Sequence, residues 1–139
     1  MSRAMSDVAC CAEIRVMGLS GLEDYYAHLL RLDPPTCRPA DEAVSAHCLN
    51  LLSARAILIG AYVDGVMRAA AEIVPDRAAR QAEAAITVET GYEDRGLVRA
   101  LTERVIAEAR RYHLSMLRVV EQRLTGSVPL AARPLHVSG

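Results

Sequence analysis

The chain contains no lysine: all 16 of its basic residues are arginine. That absence excludes a side-chain amine nucleophile and Schiff-base chemistry. Phenylalanine and tryptophan are also missing, and aromatic residues reach only 4% of the sequence. A core must therefore come from Leu, Val, Ile, Ala, Met and Tyr. There is no surplus of positive charge, since 16 basic residues face 17 acidic ones for a net charge of -1. A nucleic-acid surface is not expected, because neutralising phosphates needs a basic excess. No stretch approaches the roughly 20 consecutive apolar residues of a membrane span, and no partner membrane is expected. The cysteines at 10, 11, 37 and 48 form no Cys-x-x-Cys and accompany no paired histidines. They read as thiols that pack like small hydrophobes, and no metal site is expected. The opening MSRAMSDVACCAEIRV has no signal-peptide h-region, so a cytoplasmic location is expected.

What is present is a composition of 52% apolar and 24% charged residues over 139 positions, enough for one globular domain with a real core. Residues 1–12 read as a flexible leader. Glu13 to Met17 alternates polar and apolar and predicts a first strand. Ser20 with Glu23 three positions on reads as a capping box for a helix from Gly21 to Arg31. Its apolar stripe is Leu22, Tyr25, Tyr26, Leu29 and Leu30, and Asp33-Pro34-Pro35 ends it. A second helix is predicted from Ala40 or Asp41 to about Ser53, with Val44, Cys48, Leu51 and Leu52 inward. Ala56 to Val63 and Val66 to Val74 read as strands joined at Asp64-Gly65, the tightest hairpin signal in the chain. Pro75 to Gln81 is a solvent-facing turn, and His113 to Val120 a fifth strand.

The most informative stretch is Ala82 to Arg111. A short apolar run, Ala84 to Val88, suits a mostly buried strand. Glu89 to Gly96 is polar and turn-prone. An amphipathic helix follows, with Leu97, Leu101, Val105 and Ile106 on one face. Strand, glycine-containing turn and helix together present free backbone N–H groups at the positive end of the helix dipole. Arg95 and Arg99 add full charges beside it. These features imply a phosphate-binding turn for a phosphorylated cofactor.

At these residues the chain resembles the GCN5-related N-acetyltransferase (GNAT) family. EDRGLVRALTERVIAEARR is similar to that family's motif, Q/R-x-x-G-x-G/A followed by a helix, whose amides hold the pyrophosphate of acetyl-coenzyme A. Gly96 falls on the motif's first glycine. Glu93 stands where Gln or Arg is usual, and Val98 where Gly or Ala is usual. HLLRLDPPTCR, AYVDGVMRAAAEI and AEAAITV look most like the branch that includes bacterial protein-lysine acetyltransferase domains. The resemblance covers roughly Ile14 to Val120. It implies an α/β (α+β) fold with a mixed sheet of about five strands, helices on both faces, and the order β-α-α-β-β-β-α-β. The domain would span 13–120, with an irregular tail over 121–139. The family's last helix and two strands would be lacking, together with the Tyr general acid that helix usually supplies; no Tyr follows Tyr112. The fifth strand, left as an apolar edge, would invite a homodimer.

Amine acetylation needs a held acyl-coenzyme A, a base for the ammonium proton and donors for the oxyanion. The resemblance implies acetyl-coenzyme A as cosubstrate, bound at Ile86, Val88, Arg95, Gly96, Leu97, Val98, Arg99 and Ala100. It makes Glu83, in an Ala-Glu-x-Ala context thirteen residues before Gly96, the catalytic base. Glu72 is the alternative base. Val88 N–H would be the oxyanion donor and, with Ile86, would pair with the pantetheine arm like an added strand. The acceptor would be a protein lysine or a small amine. His28, His47 and His113 read as structural or surface histidines, and Tyr25 and Tyr26 as core. No Gly-x-Ser-x-Gly elbow is present. A non-catalytic or purely structural GNAT-fold module is the alternative from another class.

Overall fold

The computed structural model describes residues 12–32, 40–76, 78–93, 96–123 and 126–134. Residues 1–11 of the predicted leader (with Cys10 and Cys11), Cys37, Arg95 and the Asp33-Pro34-Pro35 stop lie outside the described residues, while Ala12, the leader's last residue, packs partly buried against the core. Six strands form one sheet in sequential order: β1 (Glu13–Val16), β2 (Ile57–Val63), β3 (Val66–Asp76), β4 (Gln81–Val88), β5 (Met116–Arg123) and β6 (Gly126–Pro134). All neighbours are antiparallel except β4 and β5, which run parallel. That parallel step requires a crossover. It is made by α3 (Leu97–Arg111), while α1 (Leu22–Arg31) and α2 (Ala40–Ala54) lie between β1 and β2 in the chain.

Alternation along the strands sorts the side chains onto two faces. Ala69, Ala71, Ile73, Ala82, Ala84 and Ile86 meet Leu97, Leu101, Val105 and Ala109 of α3. On the other face Leu58, Tyr62, Met67 and Ala70 pack with Tyr25 of α1 and Leu51 of α2. In the absence of Phe and Trp, alanines fully buried at 61, 69, 70, 71 and 84 form the centre of the sheet. Small residues there let helices carrying Leu, Val and Ile approach closely, which keeps the interior dense without large rings. The mixed α+β sheet with helices on both faces agrees with the expected fold class. The β2–β3 hairpin also turns where expected: Asp64 and Gly65 have φ of 52° and 81°, the paired positive values of a type I′ turn.

Four local expectations are corrected. Ser20 is not a helix cap: its Oγ donates to the Met17 carbonyl at 2.6 Å inside a 3₁₀ turn over Gly18–Gly21, and α1 starts without a side-chain cap. Leu30 and Leu52, placed inward by periodicity, are exposed. Residues 126–134 are strand β6, not an irregular tail, and they pair with β5 from Met116↔Pro134 to Arg123↔Gly126. The register shifts between Val119 and Val120, beside Pro129, which is where a residue without an N–H is tolerated in a ladder. β5 is consequently an interior strand, and the apolar edge invoked for a homodimer does not exist. The connection from Arg123 to Gly126 has only residues 124 and 125 to span it, so no helix separates the last two strands.

Candidate active site

The parallel strands β4 and β5 part at their C-terminal ends. Their pairing runs from Gln81↔Met116 to Ile86↔Glu121 and stops, although β4 continues to Val88. Glu89 N–H donates to the Arg68 carbonyl of β3 at 2.9 Å. Successive residues of a strand turn their backbone groups to opposite neighbours, so Val88 turns its N–H and carbonyl toward the β5 side, past the last rung. Ile86 and Val88 thus edge an opening of the kind expected for an extended pantetheine-like arm. Sheet topology supports the placement, because ligands of such folds gather at the carboxyl ends of parallel strands.

Beside this opening lies the start of α3. Gly96 occupies its N-cap with φ of 72°, in the left-handed region, and no side chain caps the helix. A Cβ would strain that conformation, which accounts for glycine here. Ala100 N–H donates to the Gly96 carbonyl at 3.1 Å, so Ala100 is not a free donor. The N–H groups of Leu97, Val98 and Arg99 precede the first intrahelical bond and stay available to an anion. Leu97 is fully buried and Val98 packs partly buried against the α3-face core. Glu93 folds back on its own loop, where its Oε1 accepts from Gly91 N–H at 2.8 Å. Arg99 is exposed and lies 3.4 Å from Glu103, its one ion-pair contact among the described residues. Arg95 lies outside the described residues.

Polar groups collect on the sheet face covered by α1 and α2. Glu89, just after β4, is buried at 4% exposure. Its carboxylate meets His28 Nδ1 at 3.0 Å, Arg31 Nε at 3.0 Å and an Arg68 guanidinium nitrogen at 2.8 Å. Burial alone would raise its pKa, but hydrogen bonds from His28, Arg68 and Arg31 win and hold it at about 2. His28, fully buried, has its second ring nitrogen 2.7 Å from Thr87 Oγ1. Burial outweighs Glu89's attraction and pushes its pKa down. Farther along β3, Glu72 accepts from Tyr25 Oη and lies 2.7 Å from His47 Nε2. The hydrogen bond to Glu72 raises His47's pKa despite partial burial, and burial with Glu72's charge drives that of Tyr25 well up.

Glu83, singled out from the sequence, shares this face but not this environment. Its side chain is 56% exposed and pairs with Arg118 at 3.1 Å, the residue facing it in the β4–β5 register. The described residues form no half-buried cleft around it. Sequence reasoning missed Glu89 as a site group by assigning it to the turn. The period-two series Glu83, Ala85, Thr87, Glu89 was the available signal, since it places every polar residue of β4 on one face.

No protein-family profile and no curated protein matches the chain. Solved structures do. An N-acetyltransferase from Staphylococcus aureus Mu50 superposes with a TM-score of 0.59 at 18% identity, over 78% of this chain and 72% of that one. The ribosomal-protein-S18-alanine N-acetyltransferase of Escherichia coli gives 0.64 at 16% identity, over 92% and 96%. A GNAT superfamily phosphinothricin acetyltransferase from Sinorhizobium meliloti, solved in complex with AcCoA, gives 0.60 at 12% identity, over 79% and 65%. The fold is that of the GNAT acetyltransferases. Among the described residues no helix is long and apolar enough to cross a membrane.

Proposed function

We infer that this chain binds acetyl-coenzyme A and transfers its acetyl group to an amine. The observation that carries this is the parting of β4 from β5 after Ile86↔Glu121, next to the uncapped, left-handed start of α3 at Gly96. The residues fit the cosubstrate: Leu97, Val98 and Arg99 offer N–H groups to a pyrophosphate, and Ile86 and Val88 offer a strand edge to the pantetheine amides. Val88 N–H then stands as the donor to the oxyanion that forms as the amine adds. The amine enters from the face covered by α1 and α2, where Glu72, His47 and Glu83 are the proton acceptors at hand. Glu83, the base implied by the family resemblance, would work from solvent in competition with Arg118. A protein lysine, as in the bacterial protein-lysine acetyltransferase branch, and a small amine are both acceptors of the right chemistry.

The two-residue connection between β5 and β6 favours a second reading, because no helix stands there to supply a tyrosine acid to the leaving thiolate. Binding without turnover is its signature. Calorimetric titration with acetyl-coenzyme A tests both: no binding at millimolar ligand defeats the function. Thiol release with amines then separates an enzyme from a binder.

A further inference from the structure

We propose that His47 is the general base for the acceptor amine and that Glu72 is the residue that positions it. This rests on the acetyl-transfer function above and adds to it His47, which by its sequence context reads as a structural or surface histidine.

The geometry is a relay of three side chains from three elements. Tyr25 of α1 donates its hydroxyl to the Glu72 carboxylate of β3, and His47 of α2 places Nε2 2.7 Å from the same Oε1. A carboxylate so close accepts from Nε2–H and thereby fixes the imidazole tautomer, leaving the lone pair on Nδ1. Among the described residues Nδ1 has no hydrogen-bond partner. Exposure grades along the relay: Tyr25 is 1% exposed, Glu72 7%, and the His47 side chain 44%. Only the outermost group can touch an acceptor. A base oriented by a carboxylate that is itself held by a third group is the arrangement that activates nucleophiles elsewhere.

The relay also lies near the proposed acetyl site. Glu72 is paired with Ala85 and Ala69 with Val88. Three residues of strand separate Glu72 from the rung of Val88, about 10 Å at roughly 3.4 Å per residue. A long amine can bridge that span directly or through a water. The other titratable groups facing the pair are Tyr25 from α1 and Cys48 beside His47 on α2. Among the described residues no arginine pairs with Glu72, whereas Glu83 and Glu89 are both neutralised by arginine.

The step balances. The acceptor ammonium gives one proton to Nδ1, and the freed lone pair forms the bond from nitrogen to the acetyl carbonyl carbon. The carbon–sulfur bond breaks with its electron pair going to sulfur. The thiolate takes the second nitrogen-borne proton, and the imidazolium returns its proton to solvent.

The test is the pH profile of thiol release from acetyl-coenzyme A, with Nα-acetyl-lysine methylamide as acceptor. In the wild type kcat/KM rises through the His47 pKa. His47→Gln lowers kcat about a hundredfold, leaves acetyl-coenzyme A affinity unchanged and abolishes that limb. Glu72→Gln moves the limb to lower pH. Nitrogen-resolved NMR of the wild type gives an Nε2–H tautomer titrating above the ordinary histidine value, a readout independent of turnover. An Nδ1–H tautomer, or a titration unmoved by Glu72→Gln, overturns the relay. A working wild-type enzyme whose limb survives His47→Gln but not Glu83→Gln overturns the base assignment alone. Failure of the wild type to bind acetyl-coenzyme A instead sinks the function on which it rests.

Discussion

His28 Nδ1 lies 3.0 Å from Glu89 Oε2, and this contact ties the middle of α1 to the residue that follows β4. Both side chains are buried, and Arg31 and Arg68 complete the neutralisation of the carboxylate. Removing the charge strands two guanidinium groups at the edge of the core. Glu89→Gln is expected to destabilise the fold by about 3 kcal/mol, the usual cost of breaking a buried ion pair from one side. Chemical denaturation measures it, and a change below about 0.5 kcal/mol, the scale of an ordinary surface substitution, would show that the cluster is not structural.

Acid should act through the same pair. Glu89's folded pKa of about 2 lies below its ordinary 4.5, so its contribution is complete above pH 4.5 and is lost as pH falls toward 2. The difference corresponds to at most about 3 kcal/mol. His28's pKa is lowered from 6.5 by burial. The unfolded chain therefore takes up its proton first, and stability also falls as pH drops below 6.5. Denaturation midpoints between pH 7 and pH 3 should decline steadily; a flat profile would contradict both assignments.

Gly96 carries a left-handed backbone and, in the site proposed above, the approach of the pyrophosphate. Gly96→Ala is expected to cost about 1 kcal/mol in stability from the positive φ alone. Gly96→Glu adds bulk and negative charge at the anion site and should weaken acetyl-coenzyme A binding by well over tenfold. Calorimetry on the folded variant decides this, and undiminished affinity removes the phosphate from that turn.

Strand β6 closes the side of β5. A chain ending at Arg123 would present an apolar strand with unpaired backbone groups, a template for association. Light scattering is expected to show oligomers or aggregates for the truncation at concentrations where the full chain shows none. A well-behaved truncated protein would mean that β6 is dispensable to the sheet.

Glu83→Gln should alter stability by less than about 0.5 kcal/mol, because its pair with Arg118 is more than half exposed on both sides. Its effect on the pH profile then bears on catalysis and not on folding. Loss of the acid limb in this variant would return the base to the residue that the family resemblance names.

Most of the elements, and the glycine at the start of α3, were legible in local patterns of the chain. Period-two and period-3.6 patterns, the Asp64-Gly65 hairpin and the glycine before Leu97 are local signals, since each depends on residues within a few positions of one another. The same locality explains the errors. Residues 126–134, with Pro129 and Pro134, look irregular alone and become a strand only because β5 supplies the partner, with the register shift beside Pro129. Glu83 reads as a group in a half-buried cleft, yet it is exposed and pairs with Arg118, thirty-five residues away. Glu89 belongs to a turn by composition, yet His28, sixty-one residues earlier, draws it into the interior. Which carboxylates are buried, which are neutralised and which histidine is oriented are set by contacts between distant segments. Pairing and desolvation are properties of three-dimensional neighbours, and only the folded sheet decides who those neighbours are.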